Sequence, residues 1–273
     1  MKAKLFNIST IMLSSAMALF ADDKSTEEVN TIGDISYAKN VIEKFFASAT
    51  VDYESEFIFR GKQLAGPVIC PEVDVSYDIG SGFSSYIGWW GCYSTNGGGY
   101  GENDLYAGLN YSIDNFTIDF GYTVYTYSGA ATSEYPNEHE LKLIVSYDTS
   151  EYLGDFAICP YAAAYYNITY SGTVIEGGLS YSAPITKWLI GENWASIDLA
   201  AYVGYADYRG GMSDNGGYVY VGTSADISFA ITEYWSVSAG VRYACNNDND
   251  GGFSAIAGKE NNVWFGVSTS IGF

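Results

Sequence analysis

A single histidine, His139, stands in the 273-residue chain, inside the triplet Glu138-His139-Glu140, and it limits the acid–base chemistry available. Acyl transfer would need that imidazole beside a serine and an orienting amide. Water activation would need it between carboxylates, which the triplet supplies only loosely, and the flanking sequence carries no hydrolase motif. His139 is therefore read as an interfacial residue and the chain as no enzyme. The four cysteines, Cys70, Cys92, Cys159 and Cys245, show no Cys-x-x-Cys or Cys/His spacing, so neither a metal nor a cofactor is expected. The Gly-rich run at 94–101 is followed by no helix and is not a phosphate cradle.

The remaining ionisable residues fall on alternating positions. Asp52, Glu54, Glu56 and Arg60 share one parity, and Val51, Tyr53, Phe57 and Phe59 take the other. Glu72, Asp74, Asp119, Glu140, Lys142, Asp198, Asp226 and Arg242 alternate with apolar neighbours in the same way. If the charged parity faces a common interior, carboxylates far outnumber Arg60, Lys142 and Arg242. The expected picture is an acidic lumen in which Arg60 and Arg242 form a basic patch near the outer end. The transverse field between patch and acidic wall would order water and small polar solutes.

The elements that must position these residues are strands. The closing stretch 261–273, NNVWFGVSTSIGF, places Val263, Phe265, Val267, Thr269, Ile271 and Phe273 on one face and small or polar residues on the other. Similar segments are expected near 50–60, 68–79, 83–93, 103–113, 116–127, 138–148, 155–168, 173–183, 195–207, 217–230, 235–246 and 262–273. That even number, with tight links after even strands and Gly-rich polar links after most odd ones, predicts an all-β fold: a transmembrane antiparallel up-and-down barrel of about twelve strands. The links near 169–172 and 184–194 break the trend, and Pro160 weakens the seventh strand. Tyr77, Tyr111, Tyr147 and Tyr181 recur at spacings of 34, 36 and 34 residues, one hairpin per period, and Phe229 and Phe273 continue the set. These six are read as an aromatic girdle at the periplasmic interface with outer-membrane lipids. A soluble sandwich would turn its charges outward and its apolar faces inward.

Residues 1–21 carry Lys2 and Lys4, an apolar core and a small-residue cleavage site, the pattern of a signal peptide. No later run is long and apolar enough for a membrane helix. Residues 22–49 are read as an acidic periplasmic segment holding a short amphipathic helix, with Ala38, Val41, Ile42, Phe45 and Ala49 on its apolar face. Residues 50–273 are assigned to the barrel. The net charge of −20 excludes a nucleic-acid partner, because phosphate binding needs a basic surface.

Cys70 and Cys92 lie equally far on either side of Ser81 in a tight turn. They should face each other across neighbouring strands, which makes them a disulfide candidate in an oxidising compartment. Two readings of the lumen stay open. It is either a narrow conducting pore for small polar solutes or ions, or a salt-bridged plug in a structural or adhesive barrel that acts through its loops.

A strand ending the chain on an aromatic, after a secretory leader, resembles the outer-membrane barrels of Gram-negative bacteria. That resemblance implies recognition of the last strand and Phe273 by the barrel-assembly machinery. The stretches FIFRGKQL (57–64), NDLYAGLNYSI (103–113) and VYTYSGA (124–130), and above all Phe59-Arg60-Gly61, resemble the TorF-like porins over roughly Val51 to Phe273. The resemblance implies passive diffusion of small solutes across the outer membrane and brings no catalytic residues. The acidic N-terminal segment and the four cysteines depart from that family's pattern.

Overall fold

The computed structural model describes residues 44–97, 99–130, 132–190, 194–207, 217–248 and 261–273. Among them, twelve strands close into one antiparallel barrel. In chain order these are β1 (Phe45–Glu54), β4 (Val68–Gly80), β5 (Phe83–Ser94), β6 (Gly101–Ile113), β7 (Phe116–Tyr127) and β8 (Glu138–Tyr147). They continue with β9 (Ile158–Asn167), β10 (Gly172–Ala183), β11 (Ala195–Asp207), β12 (Tyr218–Ala230), β13 (Trp235–Asn246) and β14 (Asn261–Gly272). The remaining strands, β2 (Phe57–Phe59) and β3 (Lys62–Ala65), form a separate two-stranded sheet. The barrel closes where β1 pairs with β14, from Ser48↔Gly272 to Glu54↔Gly266, and with β4 on its other side. Closure leaves no sheet edge, so every wall strand has two ladder partners.

Alternation sorts the faces as a two-residue period requires. Ile87, Leu105, Val241 and Val263 point outward and are 63, 59, 58 and 71% exposed. An apolar exterior of this extent would be unstable in water and suits hydrocarbon. Inward positions carry hydroxyls, carboxylates and tyrosines, interleaved with glycine. A Cβ on Gly88, Gly204 or Gly222 would lie 2.2, 2.2 or 2.1 Å from the ring of Tyr106, Tyr220 or Tyr202. Glycine at these places lets a cross-strand tyrosine lie flat against the wall.

The connections give the barrel two unlike ends. At one end, β4–β5, β6–β7 and β12–β13 join by tight turns. The β8–β9 link holds a short helix α1 (Ser150–Leu153) and a 3₁₀ turn (Gly154–Phe156), and the β10–β11 link holds α2 (Ile185–Ile190). Longer links lie at the other end, except the short one between β9 and β10.

Four expectations change. The first wall strand ends at Glu54 rather than running to residue 60, and Phe57 and Phe59 do not face lipid: Phe57 is 3% exposed inside the barrel. The reason lies at Arg60-Gly61, both with positive φ (48° and 77°), which makes a two-residue hairpin of the primed kind whose twist suits β2 and β3. Only glycine fits position 61, because a Cβ there would meet the Cβ of Tyr220 at 2.6 Å. Phe45 and Ala49, assigned to a helix, belong to β1, where backbone pairing with Tyr77 and Val73 overrides their helical spacing. The rest of that helix and the signal peptide lie outside the described residues. Finally, β9 begins at Ile158, not 155, because Gly154–Phe156 form the 3₁₀ turn, and Thr149 ties the two ends of the link together: its Oγ1 accepts the Ile158 N–H at 2.9 Å and donates to the Ile158 carbonyl at 2.8 Å. Pro160 is tolerated because pairing with β8 runs only as far as Ser146↔Tyr161.

Candidate functional site

The lumen is layered from the tight-turn end to the loop end. Near the turns the wall is rich in hydroxyls. Asp198 accepts hydrogen bonds from Ser182, Ser196 and Ser228, one serine from its own strand and one from each neighbour. Ser48 donates to Asp74, and Thr50 and Ser270 share a bond of 2.8 Å. Asp226 sits directly across from Asp198 in the β11–β12 register, and two adjacent carboxylates need a counter-charge. Arg242 supplies it, with Nη2 at 3.2 Å from Asp226 and Nε at 3.3 Å from Glu54. The carboxylates reach it over glycines: a Cβ on Gly240 or Gly266 would lie 2.3 Å from Asp226 or Glu54.

The middle layer pairs carboxylates with phenols. Tyr86 donates to Asp119 at 2.7 Å, and Lys142 holds the other oxygen of Asp119 at 2.9 Å. Tyr106 donates to Glu72 at 2.6 Å, and Glu176 accepts from Tyr161 and Tyr220 at 2.9 and 2.7 Å. A phenol is a good partner for a carboxylate in confined space, because one flat, rigid side chain fills volume and satisfies an oxygen.

Toward the loop end the β2–β3 hairpin folds into the lumen and crosses it. Phe57 packs on Trp90 and Tyr100 with ring centroids 5.7 and 5.4 Å apart, and Ile58 packs with Ala244 and Trp264. Arg60, at the turn, reaches β8 and places Nη1 and Nη2 at 2.9 and 2.8 Å from the two oxygens of Glu140. The guanidinium lies between the rings of Phe59 and Tyr165, 4.6 and 4.7 Å from their centroids. Lys62 pairs with Asp248 and sits 4.3 Å over the ring of Tyr218. Between hairpin and wall remains a cleft lined by Arg60, Lys62, Glu102, Glu138, Glu140 and aromatic side chains.

Of the residues singled out from sequence, Glu54, Glu72, Asp74, Asp119, Glu140, Lys142, Asp198, Asp226 and Arg242 lie on barrel strands with these interior partners. Glu56 and Arg60 do not: Glu56 is in the bend after β1 and Arg60 in the hairpin turn. The shared basic patch of Arg60 and Arg242 does not form either. Each guanidinium has its own acidic partners on different parts of the wall, since strand one ends before Arg60 and the hairpin carries it across the lumen. Sequence reasoning missed Lys62, which lies beyond the expected end of strand one. It also missed the tyrosine donors, whose signal is tyrosine on the charged parity, as at Tyr86 and Tyr106.

Cys70 and Cys92 are joined as a disulfide across β4 and β5, whereas Cys159 and Cys245 are free. Tyr77, Tyr111, Tyr147 and Phe229 lie at the tight-turn end, each beside a second aromatic: Phe45, Phe83, Phe116 and Trp194, at 4.8, 4.4, 4.7 and 6.2 Å. At the same end Tyr181 donates to the Asp155 carbonyl at 3.4 Å, and Phe273 is 71% exposed. His139 is bound to the Tyr122 hydroxyl through Nδ1 at 2.6 Å and stacks on that ring. Among the described residues, no group of three or more His, Cys, Asp or Glu side chains has the geometry to hold a metal ion.

This combination of closed antiparallel wall, apolar outside and polar inside defines a membrane-type β-barrel. A family model described as "Bacterial protein of unknown function (Gcw_chp)" matches residues 43–165. No curated protein matches the chain in sequence. Among solved structures, the chain is similar to the COG4313 outer membrane channel from Pseudomonas putida F1, with a TM-score of 0.52 and 10% identity over 84% of this chain and 95% of that one. It is also similar to the NanC porin (0.49, 11%, 82% and 98%) and the KdgM porin (0.47, 11%, 84% and 99%). At such identities the likeness is one of fold: this chain has the barrel architecture that outer-membrane channels use.

Proposed function

We propose that the chain is an outer-membrane porin of Gram-negative type, passing small polar solutes or ions by passive diffusion through a narrow, acidic, cation-preferring lumen. The observation that carries this reading is the interior itself. A barrel of twelve strands is wider than the eight-stranded kind that side chains alone can fill, and here buried carboxylates, hydroxyls and tyrosines recur along the inner wall, beside an apolar cluster around Trp90 and Trp264 where the hairpin packs. Among the described residues, the lumenal bases Arg60, Lys62, Lys142 and Arg242 each lean on a carboxylate. Glu72, Asp74, Glu102, Glu138, Glu176 and Asp198 are left to hydroxyl and amide donors, so the surplus charge is negative. The inturned hairpin is the constriction. In this reading Glu54, Glu56, Arg60, Glu72, Asp74, Asp119, Glu140, Lys142, Asp198, Asp226 and Arg242 line the path. The tight-turn end faces the periplasm with its aromatic girdle in the lipid interface, and the exposed Phe273 is available to the assembly machinery. The TorF-like resemblance points the same way.

One observation favours a second reading. The hairpin is pinned to the opposite wall by the Arg60–Glu140 pair, as it would be in a barrel that is closed and acts through its loops. Single-channel recording separates the two, using the chain without residues 1–21 refolded into a planar bilayer under a KCl gradient. Discrete steps that reverse on the cation side are expected. Steps that reverse on the anion side would keep the pore and remove the cation preference. A folded barrel that never conducts would overturn the porin in favour of the closed form.

A further inference from the structure

The surroundings of Arg60 resemble a recognition site more than a simple ion pair. Four features converge on one planar cation. Both oxygens of Glu140 accept from the guanidinium fork at 2.8 and 2.9 Å. Tyr125 donates to the same carboxylate at 2.9 Å and fixes its rotation. Two rings, Phe59 and Tyr165, lie within 4.7 Å of the guanidinium carbon. Beside it Glu138 is held by Tyr127 and Asn167 at 2.8 and 2.6 Å, a second acid facing the same cleft. A bidentate carboxylate with aromatic rings around it selects a guanidinium over a spherical cation, which can use neither the fork nor the stacking. Glu140, Tyr125 and Tyr165 belong to the barrel wall. Only the cation and Phe59 come from the hairpin.

The geometry points to a guanidinium seat in the outer vestibule, built on Glu140, Tyr125 and Tyr165, which the protein's own Arg60 fills and which guanidinium-bearing solutes enter when Arg60 leaves. A cleft adjoins the seat, and in it Glu138 and Glu102 would oppose any anionic group of such a solute. Arg60 is thus a tethered competitor. A solute sees the seat only in the fraction of molecules whose hairpin has swung away, and its apparent affinity falls by that fraction. This builds on the porin reading, in which solutes reach the vestibule, but it requires binding and not conduction.

Calorimetric titration with methylguanidinium tests it, on protein folded in detergent micelles and with tetramethylammonium as the control cation. Arg60→Ala should bind methylguanidinium about tenfold or more tightly than the parent protein. The double variant Arg60→Ala/Glu140→Gln should lose that gain, and tetramethylammonium should bind none of the three with comparable strength. Arg60→Lys guards against misfolding, because it keeps the buried charge and removes the fork; it too should bind methylguanidinium more tightly than the parent. If the Arg60 variants are folded and bind no better than the parent, or if Glu140→Gln leaves the gain intact, the seat is refuted. Neither outcome depends on current through the barrel: a silent barrel that binds would sink the porin reading alone, and a conducting barrel that does not bind would sink the seat alone.

Discussion

In the wall, backbone ladders set each strand against two neighbours, and alternation alone decides that Val241 faces out while Arg242 faces in. Inside the barrel, the β2–β3 hairpin forms its own sheet and is held by side chains: Phe57 on Trp90 and Tyr100, Ile58 on Trp264, Arg60 on Glu140, Lys62 on Asp248. A ladder resists piecemeal loss because every strand is bonded on both edges, whereas a side-chain anchorage can be released without opening the wall. Wall and hairpin therefore differ in what holds them, and in the proposed porin the wall would supply stability and the hairpin would set the bore.

Substitutions can break this division or sharpen it. The largest effect on stability belongs to the lipid face. Val241→Arg puts a charge into hydrocarbon near the middle of β13 and should cost about 2–4 kcal/mol, read as a lower denaturant midpoint for unfolding from lipid vesicles. Channel size in the molecules that still fold should not change. Next comes the inner surface of the same wall. Gly204→Ala forces a methyl into the ring of Tyr220 and should cost about 1–3 kcal/mol by the same assay. Gly177→Ala is the control, since its nearest neighbour would be 3.7 Å away. Smaller again is Asp198→Asn, which weakens the bonds to Ser182, Ser196 and Ser228. About 1 kcal/mol is expected, and a much larger loss would mean that this cluster and not the ladder holds β10, β11 and β12 together.

The same division explains what was legible in the sequence. Strand positions, the tight turns and the facing of Cys70 and Cys92 follow from a two-residue period read locally, and the wall obeys that period almost throughout. The hairpin carries a similar alternation, Phe57 and Phe59 against Glu56 and Arg60, so it reads as a continuation of β1. Its true course is decided at Ser55-Glu56, where the chain leaves the wall, and at Arg60-Gly61, where it turns. The second of these was visible as Phe59-Arg60-Gly61 without its meaning, because a residue such as arginine at positive φ is not expected from its type. The pairing of Arg60 with Glu140 joins residues 80 apart in sequence, and no local pattern encodes it. The tyrosine–carboxylate pairs were hidden for a related reason: tyrosine suits lipid interfaces and confined interiors alike, and only the parity of each one tells them apart.

Conductance measured with and without the hairpin tests the central claim most directly. Residues 57–65 are replaced by a glycine–serine linker of equal length, and single-channel currents of the two proteins are compared in the same bilayer. The linker form should show discrete steps several times larger than those of the parent, with an unchanged denaturant midpoint for the barrel. Equal currents would contradict the account by placing the constriction in the wall, and collapse of the barrel would contradict it by making the hairpin part of the fold's support.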